Sequence, residues 1–186
     1  MTRPIADQAP SVTTQHKSEM LLSREEIAPK VASLGRAISR DYEGKHPLLL
    51  GVLKGSFVFV ADLIRQIDIE LSVDFIRAQS YHSSISSGHV ALTSVPDTPL
   101  RDRHVLLVED IVDTGATVDR LIAWINEESP ASLKVCALLD KPSRRIAPVT
   151  IDYLGFTVPN VFVVGYGLDY QQKYRNLSGI YVLEEV

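Results

Sequence analysis

The chain has 186 residues, 45% of them hydrophobic and 23% charged, enough for one ordinary domain with a real core. Its net charge of −4 gives no basic stripe of the sort that neutralises a nucleic-acid backbone, so nucleic acid is not expected as a partner. Apolar runs such as Val105 to Val108 fall far short of the roughly 20 residues of a membrane span, no secretory pattern opens the chain, and the single cysteine, Cys136, suits a reducing cytoplasm.

Met1 to Lys17 is polar, contains Pro4 and Pro10 and lacks periodicity, which predicts a disordered tail ending at about residue 18. A single domain is expected to follow over 19–186. Ser23-Arg24-Glu25-Glu26 reads as a capping box before Ile27, Val31, Leu34 and Ile38 at helical spacing. Pro29 is expected to kink the first turn or to delay the start of this helix, and Gly44 to end it. Strands are predicted at Leu48 to Leu53, Ile69 to Ile76, Val105 to Val108 and Leu133 to Leu139. Helices are predicted at Ser56 to Ile67 and Thr117 to Glu128. Apolar strands interleaved with helices predict an α/β fold, a mostly parallel twisted sheet flanked by helices. Ile151 to Phe156, Val161 to Tyr166 and Ile180 to Leu183 are read as strands of a small subdomain over the sheet edge. The core is placed at about residues 46–140. The subdomain is assigned the N-terminal helix region and about 141–186. The small, polar stretch from Ser80 to Gly88 is either a plain hairpin tip or an active-site lid. Arg144 and Arg145 read as a solvated turn.

One stretch carries chemistry. In Val105-Leu-Leu-Val-Glu109-Asp110-Ile-Val-Asp113-Thr114-Gly115-Ala116-Thr117 an apolar strand runs into an acid pair, a third acid and a Thr-Gly-x-Thr turn opening a helix. Ligands of open parallel sheets bind beyond the carboxyl ends of the strands. The turn can point successive N–H groups, two hydroxyls and a helix N-terminus at a phosphate. Glu109 and Asp110 can accept from the vicinal hydroxyls of a sugar, or face a hydrated magnesium ion.

This stretch resembles the phosphoribosyltransferase signature, and the chain is similar in detail to the hypoxanthine-guanine phosphoribosyltransferases. Leu53-Lys54-Gly55 resembles their pyrophosphate loop, and Ser80-Tyr81 the start of their mobile loop. Leu139-Asp140-Lys141-Pro142 resembles their base-reading lysine segment. Phe162 to Tyr170, with Arg175 six residues after Asp169, resembles their purine pocket and closing metal site. These matches keep the family's order over about residues 20–186, while 89–103 aligns poorly.

The resemblance implies the type I phosphoribosyltransferase fold with a hood subdomain, and purine salvage in the cytoplasm by a homo-oligomer, dimer or tetramer. The implied substrates are phosphoribosyl pyrophosphate with hypoxanthine or guanine. It implies Asp113 as general base. Leu53, Lys54, Gly55, Glu109, Asp110, Asp113, Thr114, Gly115, Ala116, Thr117 and Arg175 would bind phosphoribosyl pyrophosphate. Lys141, Phe162, Val163 and Asp169 would bind the purine, with Ser80 and Tyr81 in the lid. Mg2+ would meet Glu109, Asp110 and Asp169. The family's cis peptide before the loop lysine is here Leu53–Lys54. Other readings are a transferase for another base, an RNA-binding regulator on the same fold, and a silent structural subunit. The retained Asp113, Lys54 and Asp169 oppose the last two.

Overall fold

The computed structural model describes residues 18–80 and 90–184. The expected tail over 1–17 and the expected lid residues from Tyr81 onward lie outside the described residues.

Strand β1 (Ser18–Leu22) leads into helix α1 (Arg24–Asp41). The capping box forms as expected: the Ser23 hydroxyl accepts from the Glu26 N–H at 3.2 Å, and the Glu26 carboxylate accepts from the Ser23 N–H at 2.8 Å. The helix starts at Arg24 and runs through Pro29, so its start is not delayed. Pro29 is exposed while Ile27, Val31, Leu34 and Ile38 are buried, and that packed face holds the helix across the missing donor.

The chain continues through β2 (Leu48–Leu53), α2 (Phe57–Ile64), β3 (Ser72–Ser80), β4 (Val90–Ser94), β5 (His104–Val112), α3 (Ala116–Glu127) and β6 (Ser132–Asp140). A short 3-10 turn (Pro142–Arg144), β7 (Tyr153–Thr157), β8 (Val163–Val164) and β9 (Ile180–Leu183) complete it. Six strands form the main sheet in the order β4-β3-β2-β5-β6-β7, parallel except for β4 at one edge. Strand periodicity sends Leu49, Leu106 and Val108 to the face covered by α1 and α2. The alternate residues Leu48, Leu50, Val105 and Leu107 pack with Val118, Leu121 and Ile125 of α3 on the other face. A three-stranded antiparallel sheet, β1-β9-β8, forms the hood.

Three expectations need correction. β7 pairs in parallel with β6, Cys136 opposite Tyr153, so it belongs to the main sheet and not to the small one. β5 does not stop at Val108: Glu109 sits opposite Ala137 and Val112 opposite Asp140, so the acid pair lies inside the strand. β4, with the Val90-Ala-Leu-Thr-Ser run, is a strand the sequence reading passed over. The Leu53–Lys54 peptide is cis.

Helices α1 and α2 meet at a glycine. A Cβ on Gly35 would lie 2.5 Å from both the carbonyl oxygen and the Cβ of Gln66. Helix propensity alone favours Gly35→Ala by roughly 1 kcal/mol. The contact reverses the sign, and the variant should lose about 1–3 kcal/mol of stability in urea unfolding. A midpoint higher than wild type would show that α2 retreats freely from α1.

Candidate active site

The site lies at the carboxyl ends of β2, β5 and β6, beneath the hood. The turn from Asp113 to Thr117 bends at Gly115, whose φ of +85° is the left-handed conformation glycine adopts without a steric cost. Gly115 caps α3, and its carbonyl accepts from the Asp119 N–H at 2.9 Å. The turn is tethered from behind, because the Thr114 carbonyl accepts from the N–H groups of Ile146 and Ala147 at 2.9 and 3.1 Å. A small cavity of about 70 Å³ opens between Glu109, Asp113, Thr114, Gly115 and Thr117. Its size and its helix N-terminus suit a phosphate group.

Beside it lies a cavity of about 490 Å³ with Asp110, Asp113, Lys141, Phe162, Val163 and Asp169 in its walls. Lys141, 5% exposed, is fixed by its N–H donating to the Val112 carbonyl at 3.0 Å. Burial lowers its pKa, the Asp113 carboxylate opposes that shift, and Arg144 adds to it. Phe162 is 51% exposed, so it is no core aromatic. Its ring stands edge-on to Tyr170, centroids 5.7 Å apart. Asp113 divides its two oxygens: Oδ2 pairs with Arg144 Nη1 at 3.3 Å, while Oδ1 is buried without a partner.

Glu109 is nearly enclosed and its Oε2 lacks a partner. Burial, reinforced by neighbouring Asp110, raises its pKa well above the carboxylate range. Burial likewise pushes Asp110 up to about 6. The Asp110 carboxylate lies directly against Gly55, where a Cβ would sit 1.7 Å from Oδ2. Asp169 pairs with Arg175 (2.6 Å) and accepts from the Gln172 N–H (2.8 Å), so it both caps its own turn and holds the arginine. Arg175 also donates to the Gly167 carbonyl at 2.7 Å, and Lys54 Nζ donates to Gln172 Oε1 at 3.0 Å.

The fold therefore gathers Leu53, Lys54, Gly55, the 109–117 stretch, Lys141, Phe162, Val163, Asp169 and Arg175 around one mouth. Ser80 ends β3, and Tyr81 lies outside the described residues. The expectation that Arg144 and Arg145 form a solvated turn is corrected. Arg144 reaches Asp113 in the cavity wall, and Arg145, only 19% exposed, pairs with Asp140 behind the phosphate turn. Neither was legible, because a basic pair after Asp140-Lys141-Pro142 looks the same whether it faces water or a neighbouring strand end. Leu168, within the run that resembles the purine pocket, also lines the cavity, and Asn160 and Gln172 are further residues at the mouth that the sequence reading passed over.

Residues 17–171 match the phosphoribosyl transferase domain. The chain is 45% identical to a hypoxanthine-guanine phosphoribosyltransferase of Streptococcus pneumoniae over 168 residues, covering 90% of this chain and 93% of that one. It is 47% identical to the Lactococcus lactis enzyme over 167 residues, with 89% and 91% covered. The chain belongs to the hypoxanthine-guanine phosphoribosyltransferase family. The solved Bacillus anthracis hypoxanthine-guanine phosphoribosyltransferase superposes on it with a TM-score of 0.86 at 43% identity, covering 91% of this chain and all of that one. The mostly parallel sheet with flanking helices is the type I fold of this family, and the chain is a transferase. No helix among the described residues is long and apolar enough to cross a membrane.

The buried acid pair has a consequence for stability. Asp110 titrates at about 6 in the fold and at the ordinary carboxylate value of 3.8 outside it. The folded state then binds the extra proton between those values, so stability falls as pH rises through 6. Asp110→Asn removes that loss. In metal-free buffer the variant should melt roughly 2–6 °C above wild type at pH 8, with the gap closing as pH falls from 6 to about 4. An identical gap at pH 8 and at about pH 4 would mean that no buried charge is being relieved.

Proposed function

We propose that this transferase moves the 5-phosphoribosyl group from phosphoribosyl pyrophosphate to hypoxanthine or guanine, releasing pyrophosphate, as a cytoplasmic step of purine salvage. The observation that carries the reading is one cavity holding an acid, a buried lysine and an exposed aromatic ring beside a phosphate-sized turn.

The 5′-phosphate sits in the turn from Asp113 to Thr117, against backbone N–H groups and the threonine hydroxyls. Glu109 and Asp110 accept from the ribose hydroxyls. Phe162 stacks on the purine, and backbone groups of Val163 and Asp169 read its edge. Lys141 donates to the exocyclic oxygen, a preference that disfavours the amine of adenine. As the anomeric carbon parts from pyrophosphate with the bonding electrons leaving on oxygen, the purine ring nitrogen bonds to that carbon. Asp113 takes the proton the ring gives up. Lys54 and Arg175 neutralise the charge that develops on the leaving group.

The oxygen donors of Glu109, Asp110 and Asp169 suit Mg2+, and the orphaned Glu109 Oε2 is an atom such an ion or its water would satisfy. Among the described residues no three His, Cys, Asp or Glu side chains converge as a complete cage, which suits an ion that keeps waters and borrows substrate oxygens. Bound there, Mg2+ would neutralise diphosphate charge. The family implies a dimer or tetramer of this chain.

The direct test mixes protein, Mg2+ and phosphoribosyl pyrophosphate with each base in turn. Nucleotide should form with hypoxanthine or guanine and scarcely with adenine, and formation from adenine alone would overturn the reading. In the same assay Lys141→Gln, which can accept as well as donate, should lose about 1–3 kcal/mol of the preference against adenine. Asp113→Asn should keep substrate binding and slow the single-turnover rate by about 10-fold to 10⁴-fold, and an unchanged rate would remove Asp113 from the proton transfer.

A further inference from the structure

The turn from Asp169 to Arg175 is contorted. Gln171, Gln172 and Tyr174 have φ of 51°, 65° and 74°, a region that residues with a Cβ seldom enter. The turn is pinned there by the Gln172 N–H donating to Asp169 Oδ2 at 2.8 Å and by the reciprocal Tyr170–Lys173 bonds at 3.3 and 3.0 Å. In this conformation the exposed Gln172 side chain reaches across the mouth of the site. Its Oε1 accepts from Lys54 Nζ at 3.0 Å and from Arg175 Nη2 at 3.3 Å. Lys54 lies 118 residues away in sequence, on the opposite wall.

Two cations converging on one neutral oxygen is a pattern that an anionic oxygen would satisfy better, because charge-assisted bonds at both ends are the stronger ones. We infer that Gln172 is a positioning residue of the pyrophosphate site. Its amide oxygen holds the place of a diphosphate oxygen, keeps Lys54 and Arg175 converged in the empty site, and yields to the incoming diphosphate. This rests on Lys54 and Arg175 binding pyrophosphate. An amide suits the role and a carboxylate does not: glutamine aligns both cations without adding a second negative charge beside Asp169, which already pairs with Arg175, and its exposed side chain is rehydrated once released.

The two readings separate by titrating the full chain with magnesium pyrophosphate and by comparing KM for phosphoribosyl pyrophosphate with KM for hypoxanthine. Gln172→Asn withdraws the oxygen by one methylene, and asparagine tolerates positive φ, so the turn survives. It should weaken pyrophosphate binding about 3- to 10-fold, because the ligand must then order the long Lys54 side chain itself, at a cost larger than the bond it no longer has to displace. Gln172→Glu should weaken it by more than about 10-fold, since the new carboxylate competes for both cations. In both variants KM for phosphoribosyl pyrophosphate should rise in parallel while KM for hypoxanthine stays within about twofold. If Lys54→Ala weakens pyrophosphate and Gln172→Asn does not, the placeholder is wrong and the assignment of Lys54 stands. If Lys54→Ala also binds as wild type, both fall. A Gln172→Glu variant that binds as tightly as wild type overturns the placeholder whatever the others do.

Discussion

The site depends on a place where two glycines let three distant parts of the chain stack closely. A Cβ on Gly167 would sit 2.2 Å from the Gly55 carbonyl oxygen, and a Cβ on Gly55 would sit 1.7 Å from Asp110 Oδ2. The hood turn thus rests on the Leu53-Lys54-Gly55 loop, and the loop rests on the Asp110 carboxylate of β5. Any side chain at either glycine would force the walls apart, and packed interiors absorb such insertions poorly. The hydrogen bond from the Tyr166 hydroxyl to Asp62 Oδ2, 2.7 Å, holds the stack from one side by joining the hood to α2. The Arg175 bond to the Gly167 carbonyl holds it from the other. Lys54, Asp110 and Asp169 keep their relative places because the backbone of Gly55 lies against both the hood turn and the Asp110 carboxylate.

That closeness has an electrostatic cost which the substrate is suited to relieve. Glu109 and Asp110 are enclosed without a cation of their own, and burial raises the pKa of both. Arg175 favours the charged form of Asp110, but Asp169 beside it works the other way. The free site is therefore short of positive charge among its carboxylates, and Lys54, at its rim, is bonded to a neutral amide. On the proposed reading, sugar hydroxyls and a divalent cation would offset the acids, and a diphosphate would offset Lys54 and Arg175. A chain with a net charge of −4 can in this way take a strongly anionic substrate, since the local arrangement decides and the sum does not.

Much of this was legible in the sequence, and what was not has identifiable causes. Leu48–Leu53 and Ile180–Leu183 fall where they were predicted, because each is an apolar run with sharp polar borders. β5 was cut short at Val108 because Glu109 and Asp110 look like a strand end, whereas pairing with β6 carries the strand on to Val112. The tertiary ladder overrode local composition there. β7 was placed in the wrong sheet for a similar reason, since nothing within Tyr153–Thr157 says which edge it joins. Gly55, Asp113 and Lys141, singled out through their motifs, are brought to the walls of one cleft. Arg145 was missed because its partners, Asp140 and the back of the Gly115 turn, are assembled only when β6 lies beside β5.

The hood shows how far chain order and spatial order diverge. Its sheet joins β1, at the start of the described chain, to β9 at the end, with Ser18 opposite Leu183. The main sheet lies between them in sequence. A three-stranded sheet of 5, 4 and 2 residues has little apolar surface of its own. It is stable only against the core, where Ile180, Val163 and Tyr166 pack in one cluster with Phe59 of α2 and Ile27 of α1. The pocket wall carrying Phe162 and Asp169 is consequently a product of the whole fold. A change in α1 or α2 that loosens this cluster reaches that wall without touching Phe162 or Asp169.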